Sequence, residues 1–581
     1  MMNLEQPKSS NTPAMLAALL AAAFLHLQPE SHAAANPPAP VPARAQAPFR
    51  VLYNNDTTNI TACISPFFKK GQAFAPEMID ASVAEAAGAD AHMFSPGLVW
   101  VPFWKSKLYP PDEHFRWWRN TFPNGRLHPI AHYLLAGGDI VADFLKSCRA
   151  QGVAAFVSVR LNDYHRVEFL DAPGDARLEE FDSICIDRFR RGHPEWRLHP
   201  PAIRDRDSRM ADDADSRSVF EARDSGVMDW AEPGVRARMA AFIDELAENY
   251  DIDGIELDFL RHYRFFRPDG ALTPAERSRI MTGFVSQVRR TLDRTAPAGK
   301  RRWLCVRIPA VLSLHAPLGI DAAAFADAGV DMFNLSSNYF TVQQDVDVAA
   351  VRRLAPHASI YLEMNQCTAK GPDVSRGHGD NFIYRRTTDE QFLTTARLAL
   401  ARGADGVSLF NFAYYRDYGE DPSRGPFNEP PFHILPQLAD PARVMTATPC
   451  HYYLVPMWRS PYGNPVQLPK KLHPGDTAAL HMDLVAPASG WQKNARLRVQ
   501  TKDLMPAAAT WSASLNGVAL APSADISEPL PPPYPPMLGT PQTLRAWSIP
   551  PALLKDGQNK IEITLRKGPA AEIIFADIIT E

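Results

Sequence analysis

The stretch "DIDGIELDFLRHYRFF", Asp251–Phe266, carries two carboxylates inside an otherwise apolar run, Ile252–Leu260. Side chains alternate along a strand, so Glu256 and Asp258 share one face, their Cα atoms ~6.6 Å apart at a rise of ~3.3 Å per residue. Ile255, Leu257 and Phe259 take the opposite face. Two like charges held this close cost free energy unless something neutralises or uses them. A strand that only filled a core would not carry them.

The flanks tell what kind of sheet this strand belongs to. Ahead of it "VRARMAAFIDELAENY" (235–250) has apolar residues at helical spacing, and behind it "SRIMTGFVSQVRRTL" (278–292) repeats the pattern. The same alternation runs from residue 49 to about 440. Strand patterns occur at 49–56, 88–96, 153–163, 252–261, 302–310, 330–340, 358–366 and 404–412, and "DEQFLTTARLALARG" (389–403) is a further helix. Alternating strand and helix imply a parallel sheet, and eight units imply a closed (β/α)8 barrel, of α/β class. An open doubly wound sheet would be expected to place a glycine-rich phosphate turn after its first strand, and "YNNDTTN" is not one. The strands begin apolar and end polar, as at the C-terminal face of a barrel, where active sites sit.

The chain has 581 residues, more than one ordinary domain. The barrel is expected over 49–445, with a long insertion after strand three (164–234). From 450 to 581 the alternation in "ARLRVQT", "WSASLNGVAL" and "NKIEITLR" predicts short antiparallel strands and a β-sandwich. At the other end "AMLAALLAAAFLHL" (14–27) is too short to span a bilayer and is followed by small residues. It reads as a signal peptide over 1–35, joined by a Pro-rich linker (36–48), which predicts a secreted or periplasmic protein. No later segment is long and apolar enough to cross a membrane. A net charge of −4 gives no reason to expect nucleic acid as a partner. The six cysteines have no C-x-x-C spacing, and no metal or other cofactor is expected.

The polar strand ends supply the candidate site. Asp56, Arg160, Asn162, Asp163, Asp258, Arg307, Tyr339, Glu363 and Asn411 are expected to meet at one mouth, with His165, Arg261, His262, Asn338 and Asn365 beside them and Trp196 as a stacking surface for a flat ligand. Glycosidic cleavage generally uses two carboxyls flanking the bond, about 5–5.5 Å apart for retention or 6.5–9.5 Å for inversion. Glu256 and Asp258 lie on one strand and cannot flank anything, so a partner must come from elsewhere. Glu363, across the barrel, is the first choice; Asp163 and Asp56 follow. The competing use of Glu256 and Asp258 is ion pairing with Arg160 or Arg307, and that of Glu363 is a salt bridge to Arg307.

"EPGVRARMAAFIDELAENYDIDGIELDFLR" resembles the strand-four region of the family 10-like glycosyl hydrolases, and "GHPEWRL" (192–198) resembles the His-Pro-(Glu/Asp)-Trp segment that family has between strands three and four. The resemblance implies a secreted carbohydrate-active hydrolase whose strand-end Asp falls on Asp258; Glu256 stands where the family often has His. "DGIELDFL" is also similar to the chitinase-type strand motif, but the proton-donating Glu of that motif falls on Leu260, which excludes that route. "LNG…WSIP…LLKDGQNKIEI" resembles galactose-binding-like jelly rolls. Carbohydrate is the expected partner. A non-catalytic carbohydrate-binding protein and a metal-dependent hydrolase are the alternatives; the latter would want histidine ligands on strand ends, and strand one has none.

Overall fold

The computed structural model describes residues 46–61, 72–98, 100–198, 226–337, 342–365, 367–370, 384–410, 412, 430–457, 465–527 and 543–581. The expected leader, most of the linker, and Asn338, Tyr339 and Asn411 lie outside them.

Eight parallel strands close into a barrel: β1 (Val51–Asn55), β2 (Ala91–Phe94), β3 (Ala154–Arg160), β4 (Gly254–Asp258), β5 (Trp303–Pro309), β6 (Met332–Ser336), β7 (Ser359–Met364) and β8 (Gly406–Phe410), with β8 pairing back to β1. Each falls within its expected stretch. Helices α1 (Glu77–Glu85), α2 (Ile140–Gln151), α3 (Pro233–Asn249), α4 (Pro274–Thr295), α5 (Ala322–Asp327), α6 (Val348–Leu354), α7 (Asp389–Ala401) and α8 (Leu435–Leu438) follow the successive strands. Their starts are written locally. Thr273 and Glu276 close a capping box on α4, and Thr388 and Gln391 do so on α7.

The two faces of every strand part company as the alternation requires. Ile255, Leu257 and Phe259 join the apolar layer between sheet and helices. The inward residues form tiers. Phe49, Leu52, Met93, Phe156, Met332 and Tyr361 plug the bottom. Gly254 is small because it must be: a Cβ there would lie 2.3 Å from the Phe156 ring and 2.5 Å from the Trp303 carbonyl oxygen. Above this plug the tiers turn polar.

The C-terminal part is a pair of antiparallel sheets. One runs β9 (Cys450–Leu454), β18 (Ala571–Thr580), β12 (Ala495–Thr501), β16 (Leu544–Ile549), β15 (Ala521–Ser523), with β10 (Lys470–Leu472) also on β18; the other runs β11 (Thr477–Leu484), β17 (Gly557–Lys567), β13 (Thr510–Leu515), β14 (Val518–Ala519). This is the expected sandwich. It shares a core with the barrel: Tyr453, Val455 and Phe575 pack in one cluster with Phe392, Ala396 and Leu409. The Gln344 side chain joins the two parts, accepting from the Tyr453 N–H (2.9 Å) and donating to the His451 carbonyl (3.2 Å). Arg402 forks onto Asp483 at 2.7 and 2.8 Å.

Candidate functional site

The i, i+2 spacing of Glu256 and Asp258 recurs on neighbouring strands. Asn54 and Asp56 follow the same spacing on and just past β1, Ser158 and Arg160 on β3, Glu256 and Asp258 on β4, Cys305 and Arg307 on β5, Asn334 and Ser336 on β6. Register stacks them: Ser158 pairs with Glu256 and Arg160 with Asp258; Glu256 pairs with Cys305 and Asp258 with Arg307. Two polar tiers result, an upper one of charges and a lower one around Glu256.

The upper tier is a chain of alternating charge. Arg160 donates to Asp56 at 2.6 Å and to Asp163 at 3.0 Å, and its Nε stands 3.9 Å from Asp258. Arg307 donates to both Asp258 oxygens through one nitrogen, at 3.1 and 3.2 Å. Its other nitrogens fork onto Glu363 at 2.6 and 2.7 Å. Ser336 donates to Glu363 as well, and Asn334 does so at 3.2 Å. The Phe410 ring lies 4.1 Å beneath the Arg307 guanidinium. The Leu260 N–H donates to Asp258 at 2.8 Å. All of these charged groups are buried. Burial works against the charge on Arg307, but Glu363 and Asp258 outweigh it and hold its pKa well above the usual value. Burial likewise opposes the Arg160 cation, and Asp163 and Asp56 raise its pKa despite that. Asp163 is pushed upward by burial and held well below the usual carboxylate range by His165 and Arg160.

In the lower tier Glu256 accepts from Asn54 at 2.5 Å, Ser158 at 2.7 Å, Asn334 at 3.2 Å and the Cys305 thiol at 3.7 Å. Burial first, then the neighbouring Asp258, pushes its pKa up to about 7.

At the rim, Asp163 accepts from the His165 ring at 2.6 Å. Burial, then the Arg261 cation, keeps His165 neutral, its pKa near 4. Arg261 meets the other ring nitrogen of His165 and lies over the Tyr164 ring, and His262 abuts the same ring edge-on. Three non-glycine residues with positive φ stand in the loops after the first three strands: Thr57 (72°), Trp100 (81°) and Arg166 (58°). A β-branched residue in that region is strained, and strain of this kind gathers at functional sites. Thr57 follows Asp56 directly.

Asp56, Arg160, Asp163, Asp258, Arg307 and Glu363 thus come together, with His165 and Arg261 at the rim. Two expected members turn elsewhere. The Asn162 amide is taken by the Met228 and Arg264 carbonyls and the Met228 N–H, so it pins the insertion to the β4 loop. Trp196 is stacked by His193 at 4.1 Å and seated on Gly234 at the start of α3, so its ring serves the insertion's own packing. Asn365 is buried just past β7 and its carbonyl accepts from Thr387. Sequence reasoning passed over Ser158, Cys305 and Asn334. The signal was the alternation itself, since each stands two residues before a polar residue of the upper tier.

No protein-family model and no curated protein matches the chain. Solved structures similar to it include a noncanonic maltogenic alpha-amylase from Thermotoga neapolitana, 12% identical over 90% of this chain and 98% of that one at a TM-score of 0.32. Alpha-L-fucosidase isoenzyme 2 from Paenibacillus thiaminolyticus is 11% identical over 67% of this chain and 48% of its own, at a TM-score of 0.37. A class V chitininase from Pseudomonas fluorescens Pf-5 is 13% identical over 66% of this chain and 98% of that one, at 0.31. The chain spans about half the length of the fucosidase. Identities and scores this low leave the chemistry of the mouth to rest on its own residues.

Proposed function

We propose that the protein is an exported glycoside hydrolase acting on a poly- or oligosaccharide at the barrel mouth, with Asp258 as its reacting carboxylate. The observation that carries this reading is the position of Asp258 at the centre of the charge chain, between Arg160 and Arg307, on the strand end facing the mouth. Two guanidiniums flank this carboxyl, one on either side, so a hydroxyl that reaches it also meets a cation.

The geometry favours a different partner from the one first expected. Glu363 has both oxygens in the Arg307 fork, with Ser336 and Asn334 on the same carboxyl. Such a bidentate pair holds an arginine in place. Glu363 is therefore read as the residue that positions Arg307, which is left to meet substrate hydroxyls beside Asp258. Asp56 becomes the second carboxyl. It stands on the far side of Arg160 from Asp258, and its exposure of 5% exceeds the 0% of Glu363 and Asp163.

Asp258→Asn tests the reading. On a polysaccharide and oligosaccharide panel scored by release of reducing ends, turnover is expected to fall by about a thousandfold or more while carbohydrate binding persists, since the loss is of charge developed against the transition state. A variant that hydrolyses at the parent's rate would remove Asp258 from the chemistry. A parent that binds glycans and cleaves none would favour the non-catalytic alternative.

A further inference from the structure

Glu256 differs from the other acids of the cluster. Asp56, Asp163, Asp258 and Glu363 each contact an arginine. Glu256 is fully buried, and its donors among the described residues are an amide, a hydroxyl, a thiol and a second amide, all neutral. The Asn334 amide nitrogen faces two carboxyls at once, Glu256 and Glu363, both at 3.2 Å. The Asn334 oxygen is buried and, among the described residues, has no donor. With Glu256 ionised, two negative charges would share one amide nitrogen. With Glu256 protonated there is one, and a hydrogen is brought into a neighbourhood that lacks a donor.

The charges around it point the same way. Asp258 stands directly above on β4, Glu363 lies across Asn334 on β7, and the buried Cys305 thiol faces it from β5. The cations nearest, Arg307 on β5 and Arg160 on β3, are engaged by the upper tier. A further buried negative charge here would be set against two carboxylates, with Arg307 offsetting burial and Asp258 only in part and no guanidinium bonded to it among the described residues.

We infer that Glu256 serves the site in its protonated form, as a positioning residue that holds Asn334, and through it Glu363 and Arg307, without adding negative charge beneath Asp258. This rests on the hydrolase reading for its consequence in turnover, but not for the protonation itself. Burial and the neighbouring Asp258, which push the group up to about 7, agree with it.

Two measurements separate the inference from that reading. The first needs no substrate. Infrared titration of the whole protein between pH 5 and 8 is expected to show the C=O stretch of a protonated carboxyl that fades towards pH 8 and is missing in Glu256→Gln. A band that is absent from the parent at pH 5 to 6, or that survives in the variant, overturns the inference whatever the protein hydrolyses. The second uses the panel glycan that the parent cleaves fastest. Glu256→Gln, which keeps a neutral amide in place of the neutral acid, is expected to be slower than the parent but to move the alkaline limb of kcat/KM up by a pH unit or more. Glu256→Ala is expected to lose at least a further tenfold. A folded Glu256→Gln that is inactive at every pH makes Glu256 a reacting carboxylate and overturns the positioning role; an alkaline limb left where it was does so too. Should the parent cleave no glycan, the hydrolase reading fails while the infrared result still decides the protonation.

Discussion

A carboxyl that stays neutral in the fold and ionises freely in the unfolded chain leaves its mark on stability. For Glu256 the unfolded value is 4.5 and the folded one about 7. Below pH 4.5 both states hold the proton and the group contributes no pH dependence. As pH rises from 4.5 to about 7 the unfolded chain releases the proton and the folded one retains it, so the folded state binds more protons and stability falls. The expected loss is about 3 kcal/mol over that window, at ~1.36 kcal/mol per unit of pKa difference, and then levels off. Denaturant unfolding of the parent and of Glu256→Gln at pH 5 and 7.5 checks this: the variant's difference between the two pH values should be smaller by about 2 kcal/mol, the part of the loss that falls between them. Asp163 has the opposite sign. Its folded value is depressed, so its contribution is present above the ordinary carboxylate value and lost as pH falls below ~4. Glu363→Gln tests the use assigned to that residue. Removing one partner of a buried pair typically costs about 3–5 kcal/mol, and this variant should be destabilised on that scale. Its remaining activity should recover in part at temperatures well below its lowered Tm; a Glu363→Gln variant with the parent's Tm and turnover would remove Glu363 from both roles.

At the scale of the element, the eight strands and the larger helices were legible because their periods differ. Apolar residues at helical spacing, as in α3, α4 and α7, cannot be confused with two-residue alternation bounded by polar ends. The pairing of acids with arginines was legible as an alternative, Glu363 with Arg307 included, but the choice between pairing and substrate was not. Whether Glu363 meets Arg307 or a substrate depends on how far β7 is staggered against β5, across β6, and no single strand carries that information. Arg307 pairs in register with Asn334, while Glu363 aligns with Ser408 on β8. The contacts of Asn162 and Trp196 within the insertion of 164–234 were not legible for a related reason: its docking has no periodic signature. The tiers also make one strand unusually sensitive. Gly254→Ala would drive a methyl into the Phe156 ring and against the Trp303 carbonyl, backbone that cannot turn aside. Overpacking typically costs ~1–3 kcal/mol. Displacing β4 along its length should also shift Glu256 and Asp258, so a lowered Tm should come with a fall in kcat larger than any change in KM. A fall in Tm alone, with kcat preserved, would mean that the strand tolerates the methyl without moving its upper end.

For the molecule as a whole, the sandwich cannot be treated as a module added to a finished barrel. Its β9 runs on from the barrel's last helices, and Tyr453 and Phe575 close a core whose other members belong to α7 and β8. The contact is polar as well as apolar: Thr394 and Gln344 on the barrel side receive or supply bonds to the β9 backbone, and Arg402 is fixed by Asp483. Behind that seam Arg498, Asp577 and His451 form a fully buried cluster, with Asp577 held below the ordinary range because Arg498 and His451 outweigh its burial. The buried cluster ties β12 and β18 to the strand that touches the barrel. A chain ending at residue 446 would therefore expose Phe392, Ala396 and Leu409 to water, leave the Gln344 amide with Thr395 as its remaining partner and strand the Arg402 cation without Asp483. It is expected to aggregate or to unfold without a cooperative transition, measured by gel filtration and circular dichroism on heating. Arg498→Met, which leaves Asp577 with His451 as its remaining partner in that cluster, is expected to lower Tm with the sandwich and barrel still unfolding together. A truncated chain that is monomeric and melts cooperatively near the parent's Tm would show instead that the barrel is complete without its neighbour.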